Sequence, residues 1–295
     1  MNVEKWIKEN TTSLEGKLVA ITGASGDLGK EVCKVLVRLG ANLLLINRSE
    51  SKTKALIKEL LEINSDIRID SVLVDFESFN SVKNSLELIK KYQIDVFIVN
   101  AGAYKIERRI SDLGYDNVFQ INFISQYYLV RKLIENNNLT NGKVVVVSSI
   151  AHRYSKVCLN DIDFINNKSC AKVYGNSKRF LMYSMYELFK NIDGVDLSIV
   201  HPGISYTNIT SHYPKIIFAL IKYPMKVIFS KPNKASLSII KGIYDNCEYG
   251  EWIGPKYFDI WGYPYKRVLK SIDKKEVSDV FSVVEKIYLE IESKI

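Results

Sequence analysis

Six short apolar runs, separated by segments long enough to form helices, constrain this sequence more than any other feature. The runs cover residues 17–21, 42–46, 69–74, 96–99, 144–147 and 197–200, and they are rich in valine, isoleucine and leucine. Their apolar character is continuous rather than alternating, which is typical of strands covered on both faces. Strands that alternate with helices in this way build a parallel sheet between two helical layers. The pattern predicts an α/β fold with a doubly wound parallel β-sheet and helices on both faces.

No proline-rich or glycine-rich linker and no internal repeat divides the 295 residues, and all six prolines lie between Pro202 and Pro264. We therefore expect a single domain over residues 1–295, with a less regular last third. Residues 1–12 are polar and of mixed charge, unlike a signal peptide. No apolar run approaches the ~20 residues of a membrane-spanning helix. A cytoplasmic location is the simplest prediction.

The net charge of +8 comes from 41 lysines and arginines against 33 acidic residues, and the cations are scattered along the chain. Nucleic-acid binding requires a concentrated basic surface, so we expect no nucleic-acid partner. The four cysteines are far apart and lack the spacing of metal ligands, which predicts free thiols and no metal site. They are Cys33, Cys158, Cys170 and Cys247.

A glycine-rich turn at residues 22–29 directly follows the first apolar run and precedes a helical stretch over 30–39. Glycines let the backbone approach a diphosphate closely, and the amides and dipole at a helix start attract its negative charge. A tight turn without a ligand could use the same residues, but the strand before it and the helix after it favour a nucleotide cofactor. The predicted contacts are Thr22, Gly23, Ser25, Gly26, Asp27, Leu28 and Gly29.

The second apolar run is followed by Asn47 and Arg48, at the point where an acidic residue would normally bind the 2′-hydroxyl of an adenosine ribose. Arg48 instead offers a cation and a fork of donors suited to a 2′-phosphate. Both residues are therefore predicted cofactor contacts. NADP(H) is favoured, with NAD(H) as the alternative cofactor and a solvated surface arginine as the alternative reading of Arg48.

Tyr174 and Lys178 stand four residues apart, so on a helix their side chains share one face. A tyrosine hydroxyl titrates near ~10 in water, and a nearby ammonium favours its ionised form, which makes the phenol a usable acid or base. Tyr174 lies between the runs that end at residues 147 and 200, and ligands of such sheets bind beyond the carboxyl ends of strands. The same spacing recurs at Tyr128–Lys132 and Tyr186–Lys190, which we interpret as surface or packing positions.

In this order and context the motifs resemble those of the short-chain dehydrogenase/reductase family, in particular its retinol-dehydrogenase-like branch. The resemblance covers about residues 14–207, and residues 146–152 and 174–188 are especially similar to that branch. It implies a Rossmann-type fold with an N-terminal extension over 1–13, a cofactor-binding and catalytic core over 14–207, and a substrate lid and C-terminal elaboration over 208–295. It rests on the turn at 22–29, Asp75, Asn100-Ala101-Gly102, Asn122, Ser149, Tyr174, Lys178 and Pro202-Gly203.

The resemblance implies a catalytic set of four residues. Tyr174 would act as the general acid or base, and Lys178 would lower the pKa of Tyr174 and bind the nicotinamide ribose. Ser149, rather than the adjacent Ser148, would hydrogen-bond the substrate oxygen. Asn122 would position a water molecule that relays protons to Lys178.

Further cofactor contacts follow from the same resemblance. Asp75 would bind the adenine amino group, residues 100–102 would support the cofactor beside the glycine turn, and residues 202–203 would border the nicotinamide. The full set is Asp75, Phe76, Asn100, Ala101, Gly102, Tyr174, Lys178, Pro202, Gly203 and Thr207.

The glycine turn departs from the usual pattern of the branch at one position. Asp27 stands where the branch has its second glycine, and Gly26 comes one residue early. An acidic side chain near the cofactor diphosphate would weaken binding. Alternatively, Asp27 caps the helix that begins there, which is favourable at a helix N-terminus.

These features predict an oxidoreductase that transfers a hydride between NADP(H) and an apolar alcohol or carbonyl substrate. The alternatives are a cofactor-binding regulatory or scaffold protein with little turnover, and a non-redox relative such as an epimerase or dehydratase. Residues 213–229 alternate apolar runs with lysines. We expect this segment to be a lid over the substrate, with core packing and reversible contact with a membrane surface as alternatives, and the oligomeric state stays open.

Overall fold

The computed structural model describes residues 2–203, 230–270 and 272–294. These residues build an eight-stranded sheet with the order β3-β2-β1-β4-β5-β6-β7-β8. The strands are β1 (Leu18–Thr22), β2 (Asn42–Asn47), β3 (Ile69–Leu73), β4 (Val96–Val99), β5 (Lys143–Val147), β6 (Asp196–Val200), β7 (Glu251–Tyr257) and β8 (Trp261–Val268). Strands β1 to β7 are parallel, and β8 pairs antiparallel with β7 at the edge. The predicted single-domain α/β fold with a parallel sheet is confirmed.

Helices cover both faces of the sheet. In chain order they are α1 (Val3–Asn10), α2 (Asp27–Arg38), α3 (Glu50–Ile63), α4 (Phe79–Ile89), α5 (Asn117–Phe119), α6 (Ser125–Glu135), α7 (Cys170–Leu188), α8 (Pro232–Tyr244) and α9 (Lys274–Glu292). A π-helical turn, Gln120–Ile124, joins α5 to α6. A 3-10 turn, Ile150–Arg153, follows β5.

The core consists of two apolar layers, one on each face of the sheet. Successive residues of a strand point to opposite faces. Ala20 of β1 therefore belongs to the layer that includes α6, α7 and α9, whereas Val19 and Ile21 belong to the layer that includes α2, α3 and α8. Because helices bury both faces, the strands are continuously apolar, as the sequence predicts.

The strand order reverses beside β1, which pairs with β2 on one side and with β4 on the other. The connections that leave the carboxyl ends of β1 and β4 therefore diverge, and a crevice opens between them. Ligands of doubly wound sheets bind at such a crevice. The glycine turn after β1 and residues 100–102 after β4 lie at this position.

The observed bounds of β1 to β6 agree with the six predicted runs to within one residue. The helix after the glycine turn begins at Asp27, three residues earlier than expected. The sequence pattern does not predict α1, β7 or β8. Gly254 and Pro255 lie within β7, and Pro264 lies within β8. Proline and glycine are tolerated near the sheet edge, where fewer ladder hydrogen bonds are needed.

Some predictions fall on residues that the structure does not describe. Thr207 and the segment 213–229 lie outside the described residues, so their roles stay predictions. Within residues 2–203, 230–270 and 272–294, each helix is too short or too polar to cross a bilayer.

Candidate active site

The glycine turn joins β1 to α2 at the carboxyl edge of the sheet. Gly23 has a φ of +68°, and a Cβ added there would lie 2.9 Å from the Cα of Ala101. Both observations require glycine at this position. Gly26 is the N-cap of α2 and supplies no side-chain cap. Since the first amides of a helix have no partner within it, the turn presents backbone donors and a positive helix end, which fit a cofactor diphosphate.

Asp27 is the first residue of α2, and Gly26 rather than Asp27 occupies the N-cap position. Asp27 is therefore not the N-cap residue of α2. The Asp27 side chain is exposed in the first helical turn, where a carboxylate interacts favourably with the helix dipole. The negative charge of Asp27 is opposite to the positive charge expected of a side chain that binds a diphosphate.

Thr22 and Asn100 fix the glycine turn to the loop after β4. The Thr22 Oγ1 accepts hydrogen bonds from the amides of Asn100 and Ala101, both at 2.9 Å. The Asn100 Nδ2 donates to the carbonyl oxygens of Thr22 at 2.9 Å and Gly23 at 3.1 Å. The structure thus brings the predicted 100–102 segment against the turn and holds the turn rigid.

Asn47 and Arg48 follow the glycine turn on the neighbouring strand. The Asn47 Oδ1 accepts a hydrogen bond from the Ser25 amide at 3.1 Å, and its Nδ2 donates to Thr53 Oγ1 at 3.1 Å. Asn47 therefore positions the turn from β2. The Arg48 side chain is exposed, and it has no hydrogen-bond or ion-pair partner in the part of the chain that the structure describes. Its guanidinium is available for an anion.

Asp75 and Phe76 lie just after β3. The Asp75 Oδ1 accepts from the amide of Glu77 at 3.1 Å, and the Asp75 amide donates to Ser81 Oγ at 2.9 Å. The Phe76 ring is buried in the core layer with α6, and its carbonyl accepts from Ser125 at 2.7 Å. These contacts give both residues a structural role, and their cofactor contacts stay predictions.

Asn122 lies in the middle of the π-helical turn. Such turns are rare and occur frequently at functional sites. The Asn122 Oδ1 accepts from the Ala103 amide at 2.6 Å, and its Nδ2 donates to the Ala103 carbonyl at 2.9 Å and to Ser177 Oγ at 3.0 Å. Asn122 thus connects the loop after β4 to α7.

Lys178 reaches the same place from α7. Its Nζ is buried and donates to the carbonyl oxygen of Val147 at the end of β5, at 3.0 Å. A Cβ added to Gly102 would lie 3.1 Å from the Asn122 Oδ1 and 3.3 Å from the Lys178 Nζ. The two predicted catalytic side chains therefore meet at Gly102, where an added Cβ would crowd both of them.

Tyr174 lies beside Ser149, which begins the 3-10 turn after β5. Burial raises the pKa of Tyr174 to about 12, and a hydrogen bond with the Ser149 hydroxyl partly offsets this effect. Burial lowers the pKa of Lys178 to about 8. Both shifts have the same cause, because burial disfavours the charged form of any group. The effect of Lys178 on the pKa of Tyr174 stays a prediction.

Three residues of the site are not predicted by the sequence motifs. The Tyr104 ring contacts the Tyr174 ring edge to face, with centroids 5.0 Å apart. Tyr154 is close enough to raise the pKa of Tyr174. A Cβ added to Gly175 would lie 2.1 Å from the Ala151 carbonyl oxygen, so α7 touches the 3-10 turn here. Their one signal in the sequence is that each stands within five residues of a predicted site residue.

The segment 202–203 follows β6 and contacts the β7–β8 hairpin. Gly203 has a φ of +83°, and a Cβ added there would lie 2.8 Å from the Cγ of Pro255. The preceding His201 donates its amide hydrogen to the Ile253 carbonyl at 2.7 Å. These contacts place Pro202 and Gly203 at the same edge as Ser149, and their contact with the nicotinamide stays a prediction.

The other two tyrosine–lysine pairs have packing roles, as predicted. The Tyr128 hydroxyl donates to Glu292 at 2.9 Å, and the Lys132 Nζ forms an ion pair with the same carboxylate at 2.9 Å. Tyr186 is buried, and its hydroxyl donates to the carbonyl of Glu251. Neither tyrosine lies at the carboxyl edge of the sheet.

Comparisons with known proteins agree with this geometry. A family model described as short chain dehydrogenase matches residues 17–215. Retinol dehydrogenase 12 of Mus musculus is 30% identical over 210 residues, which cover 68% of this chain and 66% of that protein. Retinol dehydrogenase 13 of Homo sapiens is 24% identical over 206 residues, which cover 68% of this chain and 62% of that protein. The chain thus spans just under two thirds of the length of these relatives.

The fold is also similar to a crystal structure of an uncharacterized protein from Mycobacterium paratuberculosis. That similarity covers 95% of this chain and 96% of the other, with a TM-score of 0.75 and 21% sequence identity. At this level of identity, the likeness shows the fold alone.

Proposed function

Because this chain belongs to the short-chain dehydrogenase/reductase family and is similar to its retinol-dehydrogenase-like branch, we propose that it transfers a hydride between NADP(H) and an alcohol or carbonyl substrate. One observation carries the proposal. Asn122 and Lys178 converge on Gly102, and Tyr174 stands beside Ser149 at the same edge of the sheet. The proposal is supported by a phenol beside a hydroxyl donor, and by a buried cation beside Gly102 at the same edge of the sheet.

Each side chain has a separate task in the proposed reaction. The bound nicotinamide supplies or accepts the hydride. In the reducing direction, the Tyr174 hydroxyl donates its proton to the substrate oxygen, and the Ser149 hydroxyl donates a hydrogen bond to the same oxygen. In the oxidising direction, the Tyr174 phenolate accepts the hydroxyl proton of the substrate. A protonated Lys178 favours this phenolate because it supplies an opposite charge.

The proposed cofactor site extends from Gly102 to Arg48. The amides of the glycine turn would hold the diphosphate, and the turn is positioned by Asn47 and Asn100. The exposed guanidinium of Arg48 would bind the 2′-phosphate, which supports a preference for NADP(H). We further propose an apolar substrate and a cytoplasmic location.

The decisive test is to follow the absorbance of NADPH while the purified protein is offered a panel of apolar aldehydes and ketones. Tyr174→Phe should keep the melting temperature and NADPH affinity of the parent protein but lose about a hundredfold to ten-thousandfold in turnover, because only the proton-transfer group is removed. Tyr128→Phe is the matched control, because Tyr128 has the same spacing from a lysine but hydrogen-bonds Glu292. It should keep full turnover.

The pH dependence provides a second readout. Because burial raises the pKa of Tyr174 to about 12, the phenolate fraction should grow about tenfold per pH unit up to about pH 8, and less steeply above it, where Lys178 loses its charge. The kcat/KM for alcohol oxidation should rise in proportion, whereas that for carbonyl reduction should stay nearly flat. If the protein binds NADPH but turns over no substrate of the panel, the result favours the two alternatives, a cofactor-binding regulatory or scaffold protein and a non-redox relative, and product analysis distinguishes them.

A further inference from the structure

The hydroxyl of Ser149 depends on a short turn for its direction. Ser149 is the N-cap of the 3-10 turn Ile150–Arg153, and its Oγ accepts a hydrogen bond from the Ala151 amide at 3.2 Å. The same hydroxyl hydrogen-bonds Tyr174. Because 3-10 hydrogen bonds have poorer geometry than those of an α-helix, a turn of four residues needs support from outside.

The His152 side chain supplies such support. Its Nδ1 lies 2.7 Å from the carbonyl oxygen of Ser149, and its backbone amide donates to the same oxygen at 3.1 Å. A carbonyl oxygen can only accept, so Nδ1 carries the proton and donates. Burial lowers the pKa of His152 to about 4. The ring is therefore neutral near pH 7 and keeps a single N–H, which points at Ser149.

The orientation of the His152 ring is fixed by the core. His152 is 2% exposed, and its ring meets the fully buried ring of Trp252 on β7 edge to face, with centroids 5.4 Å apart. Its Nε2 has no hydrogen-bond partner within residues 2–203, 230–270 and 272–294. The hydrogen bond to Ser149 is thus the one polar contact that these residues give to the ring, and water does not compete for it.

Arg179 connects the same turn to α7. Its Nε donates to the carbonyl oxygen of His152 at 2.9 Å, and its Nη2 donates to that oxygen as well. Because α7 also carries Tyr174, this helix fixes both hydroxyls of the site. It holds Tyr174 directly, and it holds Ser149 through the turn.

We propose that His152 is a positioning residue that keeps the Ser149 hydroxyl aligned with Tyr174 during proton transfer with the substrate oxygen. The ring acts through the backbone of Ser149 and moves no proton itself. The proposal rests on the proposed function, because it assigns a role in the same reaction. The alternative is a role in packing alone, against Trp252.

Two substitutions separate positioning from packing. His152→Phe keeps a ring against Trp252 but removes the donor. It should melt near the temperature of the parent protein, because the backbone amide still pairs the Ser149 carbonyl. It should lose about tenfold to a hundredfold in kcat, since displacing a reacting group by about 1 Å has an effect of this size.

His152→Asn makes the opposite change. Its amide nitrogen can occupy the place of Nδ1, whereas the contact with Trp252 is lost. This variant should melt at a lower temperature and keep most of the kcat of the parent. A residue that served packing alone would give the reverse order of the two variants. Both variants should bind NADPH as the parent does, because the glycine turn is unchanged.

A double substitution tests whether His152 acts through Ser149. In a Ser149→Ala background, His152→Phe should lower kcat no further, because residues that act as a unit are not additive. Asn138→Ala is the matched control. Asn138 is 3% exposed and donates to the carbonyl of Tyr92 at 2.8 Å, but it precedes β5 at the opposite edge of the sheet. Its loss should lower the melting temperature and leave turnover per folded molecule unchanged.

Two readouts need no turnover. The chain has three histidines, so a long-range proton–nitrogen NMR spectrum resolves His152 by comparison with His152→Asn. It should show the proton on Nδ1. Amide hydrogen exchange at Ala151 and His152 should be faster in His152→Phe than in the parent protein, and near the parent rate in His152→Asn.

These measurements distinguish the two proposals. If the parent protein turns over no substrate, the proposed function is contradicted, and the exchange rates still decide whether His152 holds Ser149. Faster exchange in His152→Phe alone supports the positioning role, and equal exchange overturns it. A proton on Nε2, an unchanged kcat of His152→Phe in an active protein, or additive losses in the Ser149→Ala background would also overturn it.

Discussion

Arg48 determines the cofactor prediction by itself, because no acidic residue stands at the end of β2 to bind a ribose 2′-hydroxyl. Its guanidinium is exposed and makes no ion pair with any residue in the described ranges. We predict that Arg48→Asp weakens NADPH binding about tenfold to a hundredfold, since hydrogen bonds to a charged group contribute about 1.5–3 kcal/mol each. Titration of cofactor fluorescence measures this change directly.

The affinity for NADH separates a specific loss from a general one. Arg48→Asp should leave NADH binding unchanged or stronger, because NADH carries a hydroxyl where NADPH carries the phosphate. Lys58→Asp, an equal change of charge at an exposed site of α3, should affect neither cofactor. Equal affinity of the parent protein for NADPH and NADH would show that Arg48 is an ordinary surface residue.

Single residues were predictable where their chemistry depends on local spacing. Tyr174 and Lys178 share a helix face because they stand four apart, whereas Gly102 and Asn122 were predicted from the resemblance to the family. Tyr104 could not be found in this way. Its contact with Tyr174 joins segments that are 70 residues apart, and only the folded chain brings the rings to 5.0 Å.

At the scale of the elements, the close packing of α7 against the 3-10 turn after β5 depends on Gly175. A Cβ on Gly175 would lie 2.1 Å from the carbonyl oxygen and 3.0 Å from the carbonyl carbon of Ala151. Because these are backbone atoms, the turn would have to move, and it carries Ser149 with it. Gly175→Ala should lower turnover at least about tenfold and cost about 1–3 kcal/mol of stability, although alanine is the better helix former.

The matched control for this prediction is Gly242→Ala in α8. A Cβ there would lie 2.6 Å from the Val200 Cγ1, so the substitution also crowds the core, but away from Ser149 and Tyr174. It should lower the melting temperature and leave turnover per folded molecule unchanged. If Gly175→Ala lost stability without losing turnover, the contact would serve packing rather than positioning of Ser149.

Helices and strands, like single residues, were predictable where a local sequence pattern determines them and not where contacts with distant segments do. Strands β1 to β6 were predictable because both of their faces are buried, and such strands consist of consecutive apolar residues. Strand β8 is an exposed edge strand with a proline, and it carries no such run. The π-helical turn at Asn122 has no signal in local composition, because it is fixed by hydrogen bonds to Ala103 and Ser177.

At the scale of the whole molecule, tyrosine hydroxyls fasten the C-terminal helix α9 to α6 and α7. Tyr127 donates to Glu285 at 2.8 Å, Tyr128 to Glu292 at 2.9 Å, and Tyr183 to Glu276 at 2.9 Å. A fourth bond runs the other way, from Tyr288 of α9 to Glu135 at 2.7 Å. Burial and the neighbouring carboxylates raise the pKa of all four tyrosines above the ordinary value of 10.0.

These raised pKa values make the stability of the fold depend on alkaline pH. Below about pH 10, each tyrosine is protonated in the folded and unfolded chains, and its hydrogen bond contributes fully. Above pH 10 the unfolded chain releases these protons while the folded chain keeps them. The free energy of unfolding should therefore fall by up to about 1.4 kcal/mol per pH unit for each tyrosine. Lys178 acts in the opposite direction between about pH 8 and its ordinary pKa of 10.5, so the fall should steepen above that range.

Urea unfolding at a series of pH values measures how the free energy of unfolding changes with pH. Variants show which tyrosine is responsible for this slope. Tyr183→Phe should reduce the proton uptake linked to folding above pH 10.5 by about one proton, because one raised pKa is removed. Tyr257→Phe is the control, since Tyr257 is 56% exposed and its hydroxyl hydrogen-bonds no described residue. It should leave the slope of the parent unchanged. If Tyr183→Phe showed the parent slope, the hydrogen bond between Tyr183 and Glu276 would not contribute to the loss of stability at alkaline pH.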